Sequence, residues 1–231
     1  MHLLALDTST EQVSVALARD GGVLGSVQLA GGRRHAEQLA PAIEYLVGET
    51  GVCLDQLAAI AVGRGPGLFT GLRVGITTAK VMAQALRVPV VAIPSLDLVA
   101  YPLRHTSRLI VAVLDARRKE VFHAGYHAVP GGVQRAWEYT VSTPAELVAD
   151  LETVTTGILL AGDGVARFRA EFAGLEHAET AGTEHAAPSV AALVELATAR
   201  MEREEFAQPW DVQPLYLRQS DAEIEWDRRG L

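Results

Sequence analysis

The sequence holds one cysteine, Cys53. That excludes an internal disulfide and any zinc site built from several thiolates, and it fits a reducing compartment. A lone cysteine outside any motif is expected as a small buried hydrophobe. Positive charge is also in short supply: 20 Lys and Arg face 28 Asp and Glu, for a formal net charge of -8. A protein that grips nucleic acid by itself needs a broad basic face to neutralise phosphates, so only a local basic patch remains open. No run of about 18 apolar residues occurs. The start, "MHLLALDTST", has neither a basic flank nor an apolar stretch long enough for a signal core. A cytoplasmic protein without membrane contact is expected. Absent too are the G-x-S-x-G elbow and the H-E-x-x-H helix, which leaves hydrolase readings with little to stand on.

What is present is ordinary globular material, 49% apolar and 21% charged over 231 residues, enough for one large or two small folded units. Residues 2–6 form an apolar run ending at Asp7, with Thr8, Ser9 and Thr10 directly after it, which predicts a buried strand and a polar turn. "QVSVALAR" alternates, with Val13, Val15 and Leu17 on one face; "DGG" at 20–22 closes a hairpin and "VLGSVQL" supplies a third strand. After the loop "GGRR", Leu39, Ile43, Leu46 and Val47 recur at helical spacing from about 35 to 48, with Pro41 in the first turns or bending the helix. "AAIAV" at 58–62 reads as a buried strand, a glycine loop leads into a second helix over 69–86, and "VPVVAI" supplies a fifth strand. Beyond Val141 the pattern predicts a helix near 144–151, a strand "GILLA" at 157–161, a turn "GDG" at 162–164 and a helix from about 188 to 204. An extended segment "PLYLR" at 214–218 and a mobile charged tail, "SDAEIEWDRRGL", complete the chain.

Three strands, helix, strand, helix, strand is the order of a ribonuclease H-like half-domain, the unit duplicated in actin-like ATPases. A duplication predicts a trace in the second half. "LLALDTSTEQVSVALA" at 3–18 can be laid against "IVAVLDARRKEVFHAGY" at 110–126, each an apolar strand ending in an aspartate, then a polar turn and a second strand. The expected architecture is therefore α/β: an actin-like (ribonuclease H-like duplicated) two-lobe fold, with mixed sheets flanked by helices. The first lobe is expected at 1–104 and a smaller one at 105–231.

An actin-like fold holds ATP between two hairpin turns. Asp7, Thr8 and Ser9 stand at the first, offering a carboxylate and hydroxyls suited to phosphate or metal-bound water. The plainer account is that they bond the backbone of their own turn. At the second, Asp115 is followed by Ala116, Arg117, Arg118, Lys119 and Glu120, too bulky and charged for a backbone cradle. Gly162, Asp163 and Gly164 have a better shape for an anion loop, although a "GDG" arises often by chance. "GRGPGLFTGLRVGITTAK" at 63–80 sets glycines ahead of a helix but fails the P-loop pattern, because Leu72 and Arg73 follow Gly71. It also fails G-x-G-x-x-G, because Gly63, Gly65 and Gly67 precede a four-residue step to Gly71. His35 and Glu37, two apart, splay on a helix, and His123 and His127 read as surface residues; neither a metal site nor a cofactor is expected.

With "LLALDTSTEQVSVAL", "RRHAEQLAPAIEYL", "AVGRGPGLFTGLRVGITTAKVMAQAL", "VPVVAIPSLDLVA" and "VLDARRKEVF" in this order, the chain resembles the TsaB family, also called YeaZ. The resemblance is strong over about the first 125 residues and looser beyond, where "AGDG" and "PLYLR" fall. The family usually has serine where this chain has Leu68, so "GPGLFTGLR" drifts toward the version in the related catalytic subunit, TsaD. The H-x-x-x-H metal pair of TsaD is missing, since "VPVVAIPSLDLVAYPLRH" has only His105.

The resemblance implies a non-catalytic scaffold that activates a TsaD-like transferase in threonylcarbamoyladenosine modification of tRNA, at the adenosine next to the anticodon. It implies assembly with TsaD and a TsaE-like ATPase, contact with tRNA only through that complex, and pairing through the two first-lobe helices, with TsaD or with a second copy as a homodimer. The interface candidates are Leu39, Ile43 and Leu46 on the first helix and Phe69, Leu72, Arg73, Ile76, Lys80 and Val81 on the second. About half of the apolar ones must be core, since every helix on a sheet buries one stripe. The alternative is an actin-like ATPase or kinase that holds magnesium-ATP between the lobes through Asp7, Asp115 and Gly162–Gly164, with Thr8 and Ser9 as further nucleotide-loop candidates. Arg117, Arg118 and Lys119 read first as a solvated turn and second as a contact to tRNA or nucleotide.

Overall fold

The computed structural model describes residues 1–30, 32 and 34–218. Alternating apolar residues build a meander of β1 (His2–Asp7), β2 (Gln12–Arg19) and β3 (Gly22–Ala30). Its second turn is closed by Asp20 and Gly21, both at positive φ, as a tight hairpin requires. Next come α1 (His35–Thr50), β4 (Leu57–Gly63), α2 (Phe69–Leu86), β5 (Val90–Ile93) and α3 (Ser95–Ala100). The sheet order is β3-β2-β1-β4-β5, antiparallel through the meander and parallel from β1 to β5.

The second half repeats this plan with β6 (Leu109–Arg117), β7 (Glu120–Val129), β8 (Gly132–Arg135), β9 (Thr140–Ser142), α4 (Pro144–Glu152), β10 (Ile158–Ala161), α5 (Asp163–Arg167), α6 (Arg169–Phe172) and β11 (Ala178–Thr180). Its order, β8-β7-β6-β10-β11, is that of the first sheet, with β6 antiparallel to β7 and parallel to β10. The likeness of 3–18 to 110–126 therefore marks equivalent strand pairs. This is the two-lobe, duplicated actin-like architecture. Thr143 and Glu146 form a reciprocal cap ahead of α4, with Pro144 at its first position.

The two faces of β1 explain the packing of the first sheet. Leu4 and Leu6 point into a core with Leu39, Ile43 and Leu46 of α1 and Ile76 of α2. Leu3 and Ala5 point the other way, among Ala16, Ala18, Ala59 and Ala61, and this alanine floor receives Val190, Leu193 and Val194 of the last helix, α7 (Val190–Glu202). The division at residue 104 thus separates the sheets but not the packed bodies, because the first sheet is covered by a helix from near the end of the chain. After α7, Val90 and Ala207 exchange backbone bonds of 3.0 and 2.9 Å at the β5 edge, and Leu215 N–H reaches the Arg64 carbonyl at 2.8 Å.

Several local expectations change. Cys53 is exposed, heading the turn Leu54–Gln56. His123 is buried in β7 with Nε2 3.0 Å from Ser142 Oγ, whereas His127 is exposed. "GDG" opens α5 rather than forming a free turn. The tail from residue 220 lies outside the described residues. Among the described residues no helix is long and apolar enough to cross a membrane.

Candidate functional site

The first polar turn is closed on itself. Asp7 Oδ1 accepts from Ser9 N–H at 2.9 Å and Ser9 Oγ at 2.7 Å, and Oδ2 accepts from Ser95 Oγ at 2.9 Å. Burial pushes the Asp7 carboxyl above the usual range, with the serine bonds acting against it. Thr8 Oγ1 donates to the Gly71 carbonyl at 2.8 Å, and the His35 ring Nε2 lies 2.7 Å from the Thr10 carbonyl. Over this turn lies a ladder of glycines four apart. A Cβ on Gly63 would stand 1.7 Å from Asp7 Oδ2, and one on Gly67 2.3 Å from the Ser9 carbonyl. On Gly71 and Gly75 it would meet Thr8 O at 2.1 Å and Thr8 Oγ1 at 2.2 Å. Only hydrogen fits at these four positions. The glycines bring the chain's own backbone onto the turn of Asp7, Thr8 and Ser9.

The second turn faces the first across a cleft of about 130 Å³ lined by Glu11, Leu68, Asp115, Arg117, Asp163 and Arg167. Asp115 is buried, 8% exposed, and its carboxylate is held by Arg117 at 3.0 Å and Arg167 at 3.4 Å. Arg117 also pairs with Glu11, which ties the two lobes together. Asp163 Oδ1 accepts from Asp115 N–H at 2.9 Å. Burial, with Asp115 adding repulsion, raises the Asp163 carboxyl to about 6. Gly162 and Gly164 do not form an anion cradle: a Cβ on Gly162 would lie 2.0 Å from the Val113 carbonyl, and one on Gly164 2.8 Å from Val113 Cγ1, so both serve close packing on β6. Arg117, Arg118 and Lys119 all hold positive φ in the β6–β7 turn, a conformation that costs non-glycine residues about 1 kcal/mol or more each.

Of the candidate nucleotide residues only Asp115, with Asp163 between the two glycines, lines the inter-lobe cleft; Asp7, Thr8 and Ser9 are buried in the first turn with their polar groups engaged, and Gly162 and Gly164 pack on β6. Two relatives and one solved structure place the chain. The family model described as TsaD, tRNA N6-adenosine threonylcarbamoyltransferase, matches residues 7–226. The tRNA threonylcarbamoyladenosine biosynthesis protein TsaB of Haemophilus influenzae is 31% identical, over 99% of this chain and 97% of its own length. The chain belongs to the TsaB family. The match to the Escherichia coli TsaB, at 33% identity, spans 64% of this chain and 64% of that protein, just short of two thirds of its length. YeaZ from Pseudomonas aeruginosa superposes with a TM-score of 0.80 at 32% identity, covering 94% of this chain and 99% of that one.

In this TsaB-family chain the helix residues first read as interface candidates divide sharply. Leu39, Ile43, Leu46, Leu72 and Ile76 are 1–6% exposed and belong to the core, because the apolar stripe of each helix faces the sheet. Phe69 stacks on Tyr216, with ring centroids 5.2 Å apart, and Lys80 Nζ donates to the Val212 carbonyl at 3.1 Å, so both are engaged by the chain's own C-terminal segment. Arg73 is exposed, lying 3.9 Å over the Phe69 ring and donating to Tyr216 Oη at 3.3 Å. The outward face of α2 runs through Arg73, Thr77 and Val81, and that of α1 carries Glu37, Glu44 and Tyr45. Val81 and Tyr45, 60% and 59% exposed, are the large hydrophobics on these faces. Sequence reasoning missed Glu11, Arg167, Ser95 and Tyr45. The step from Gly67 to Gly71 was visible in the sequence, whereas the stacking of Gly63, Gly67, Gly71 and Gly75 on the first turn was not.

Proposed function

We propose that this chain is a non-catalytic scaffold in threonylcarbamoyladenosine modification of tRNA, holding a TsaD-like transferase in its competent state together with a TsaE-like ATPase. The observation that carries the reading is the filled first turn. Both Asp7 oxygens are spent on serines and the glycine ladder lies over Thr8 and Ser9, so an ATP phosphate and its magnesium find neither a free carboxylate nor space. The names and lengths of the TsaB relatives support the pathway.

The docking surface is the outer face of α1 and α2, where Tyr45 and Val81 offer apolar area beside Arg73. The partner there is the TsaD-like subunit, or a second copy of this chain when that subunit is lacking. tRNA is reached only through the complex, in the cytoplasm, in keeping with the net charge of -8. Two measurements test this. Calorimetry of the full chain with magnesium-ATP is expected to be accompanied by no phosphate release; tight binding with turnover would return the ATPase or kinase reading. Affinity capture from cells is expected to recover the TsaD-like subunit, and its absence would remove the scaffold reading.

A further inference from the structure

A second cavity, of about 490 Å³, opens beside the carboxyl ends of the parallel strands β4 and β5, the part of an α/β sheet where ligands are commonly held. Arg64 enters it from the end of β4, Asp97 from α3, Arg200 from α7, Arg135 from β8 and Tyr139 from just before β9, while residues 205–207 and 211–213 form the remaining wall. Arg64 is half-buried and its Nε is shut off from solvent, yet its guanidinium has no hydrogen bond or ion pair among the described residues. Arg200 spends one N–H on the Ala92 carbonyl at 3.2 Å and keeps the rest of its fork. Arg135, by contrast, is held by Glu138 at 3.1 Å and lies 4.3 Å over the Tyr139 ring. Asp97 Oδ1 accepts from the hydroxyls of Tyr126 at 2.8 Å and Tyr139 at 2.7 Å, and its charge is felt by Arg135 and Arg200, while among the described residues it makes no ion pair with Arg64. The other acids on the wall, Glu205 and Asp211, are exposed, and Glu205 is paired with Arg203 at 3.0 Å.

A buried guanidinium N–H without a partner, as at Arg64 Nε, lowers stability. Arg64 and Arg200, one without a partner among the described residues and one with a single bond to the Ala92 carbonyl, face one cavity with N–H donors to spare, which suits an oxyanion. We propose that this cavity binds the oxyanion of a small organic molecule, a carboxylate or phosphate ester, clamped by Arg64 and Arg200 and flanked by Tyr139 and the exposed Phe206.

The test is calorimetric titration of the full chain with inorganic phosphate, AMP and citrate as separate probes. At least one is expected to bind, and Arg64→Met to weaken it by about tenfold or more, the loss of a charge-assisted bond. The unliganded variant is expected to melt no lower than the parent, since an unpaired charge has been removed. AMP above phosphate would assign a phosphate ester with a ring on the aromatic wall, and citrate alone a carboxylate. Arg200→Gln gives an independent check with the same expected weakening. Absence of heat with all three probes at millimolar concentration, or equal affinity in both variants, overturns the proposal.

Discussion

Asp163 couples the inter-lobe cleft to pH. Its carboxyl rises from an ordinary 3.8 to about 6 because burial and Asp115 disfavour the charge. A raised carboxyl means that the folded chain binds more protons than the unfolded one between these values. The contribution of this group to stability is therefore highest below about pH 4, falls as the pH climbs to about 6, and stays low above. Asp163→Asn keeps the oxygen that accepts the Asp115 N–H, so it is expected to stabilise the protein above pH 6 by on the order of 2 kcal/mol. The gain should vanish near pH 4 in urea unfolding. Glycine positions give a paired test. Gly71→Ala sets a methyl against the Thr8 carbonyl and is expected to cost about 3 kcal/mol or more. Gly48→Ala, on the exposed side of α1 with open space around it, is expected to gain about 0.5 kcal/mol.

At the scale of elements, the outward face of α2 makes the sharpest prediction. Val81→Glu with Tyr45→Lys is expected to abolish capture of the TsaD-like subunit while leaving the melting temperature within about 2 °C, since neither side chain is in the core. Ile76 cannot serve as an interface probe: at 4% exposure it fills the space between α2 and the sheet, and a polar residue there would unfold the lobe. Legibility followed the same physics. The ends of α2 were readable because its apolar residues repeat at helical spacing beside the solvent-facing Arg73, Thr77 and Val81. α3 was not, because nearly all of its six residues are buried and it shows no polar face. β8 and β9, with four and three residues, are too short to display alternation. Asp7, Thr8 and Ser9 were found as a polar turn at a strand end, and the local bond from Ser9 N–H to Asp7 is the plainer account the sequence offered; the bond from Ser95, 88 residues away, at 2.9 Å was not legible.

For the whole molecule, α3 and α7 decide cooperativity. Leu98 of α3 lies in the core beneath α7, whereas Leu96 and Val99 of the same helix lie in the core of the second sheet, and Val133 packs against both. A single unfolding transition is expected, with far-UV ellipticity and the fluorescence of Trp137, which sits against Gly125 in the second sheet, changing together. Leu193→Ala, on α7, is expected to lower stability by about 2 to 4 kcal/mol by both probes. If the first sheet melted before Trp137 responded, the lobes would be separable units. The contiguous lobe boundary expected near residue 104 could not foresee this. A helix that crosses back to cover the first sheet has the same apolar stripe as one that covers its own.

The glycine ladder also bears on how such a chain could change its role. A pocket closed by a side chain can be reopened by trimming that side chain, one substitution at a time. Here the space over Thr8 and Ser9 is closed by main chain, at residues that have nothing left to remove. No series of point substitutions at Gly63, Gly67, Gly71 and Gly75 leads back to an open nucleotide cradle, since each can only add atoms. Recovering one would require rebuilding the whole β4–α2 connection at a different length.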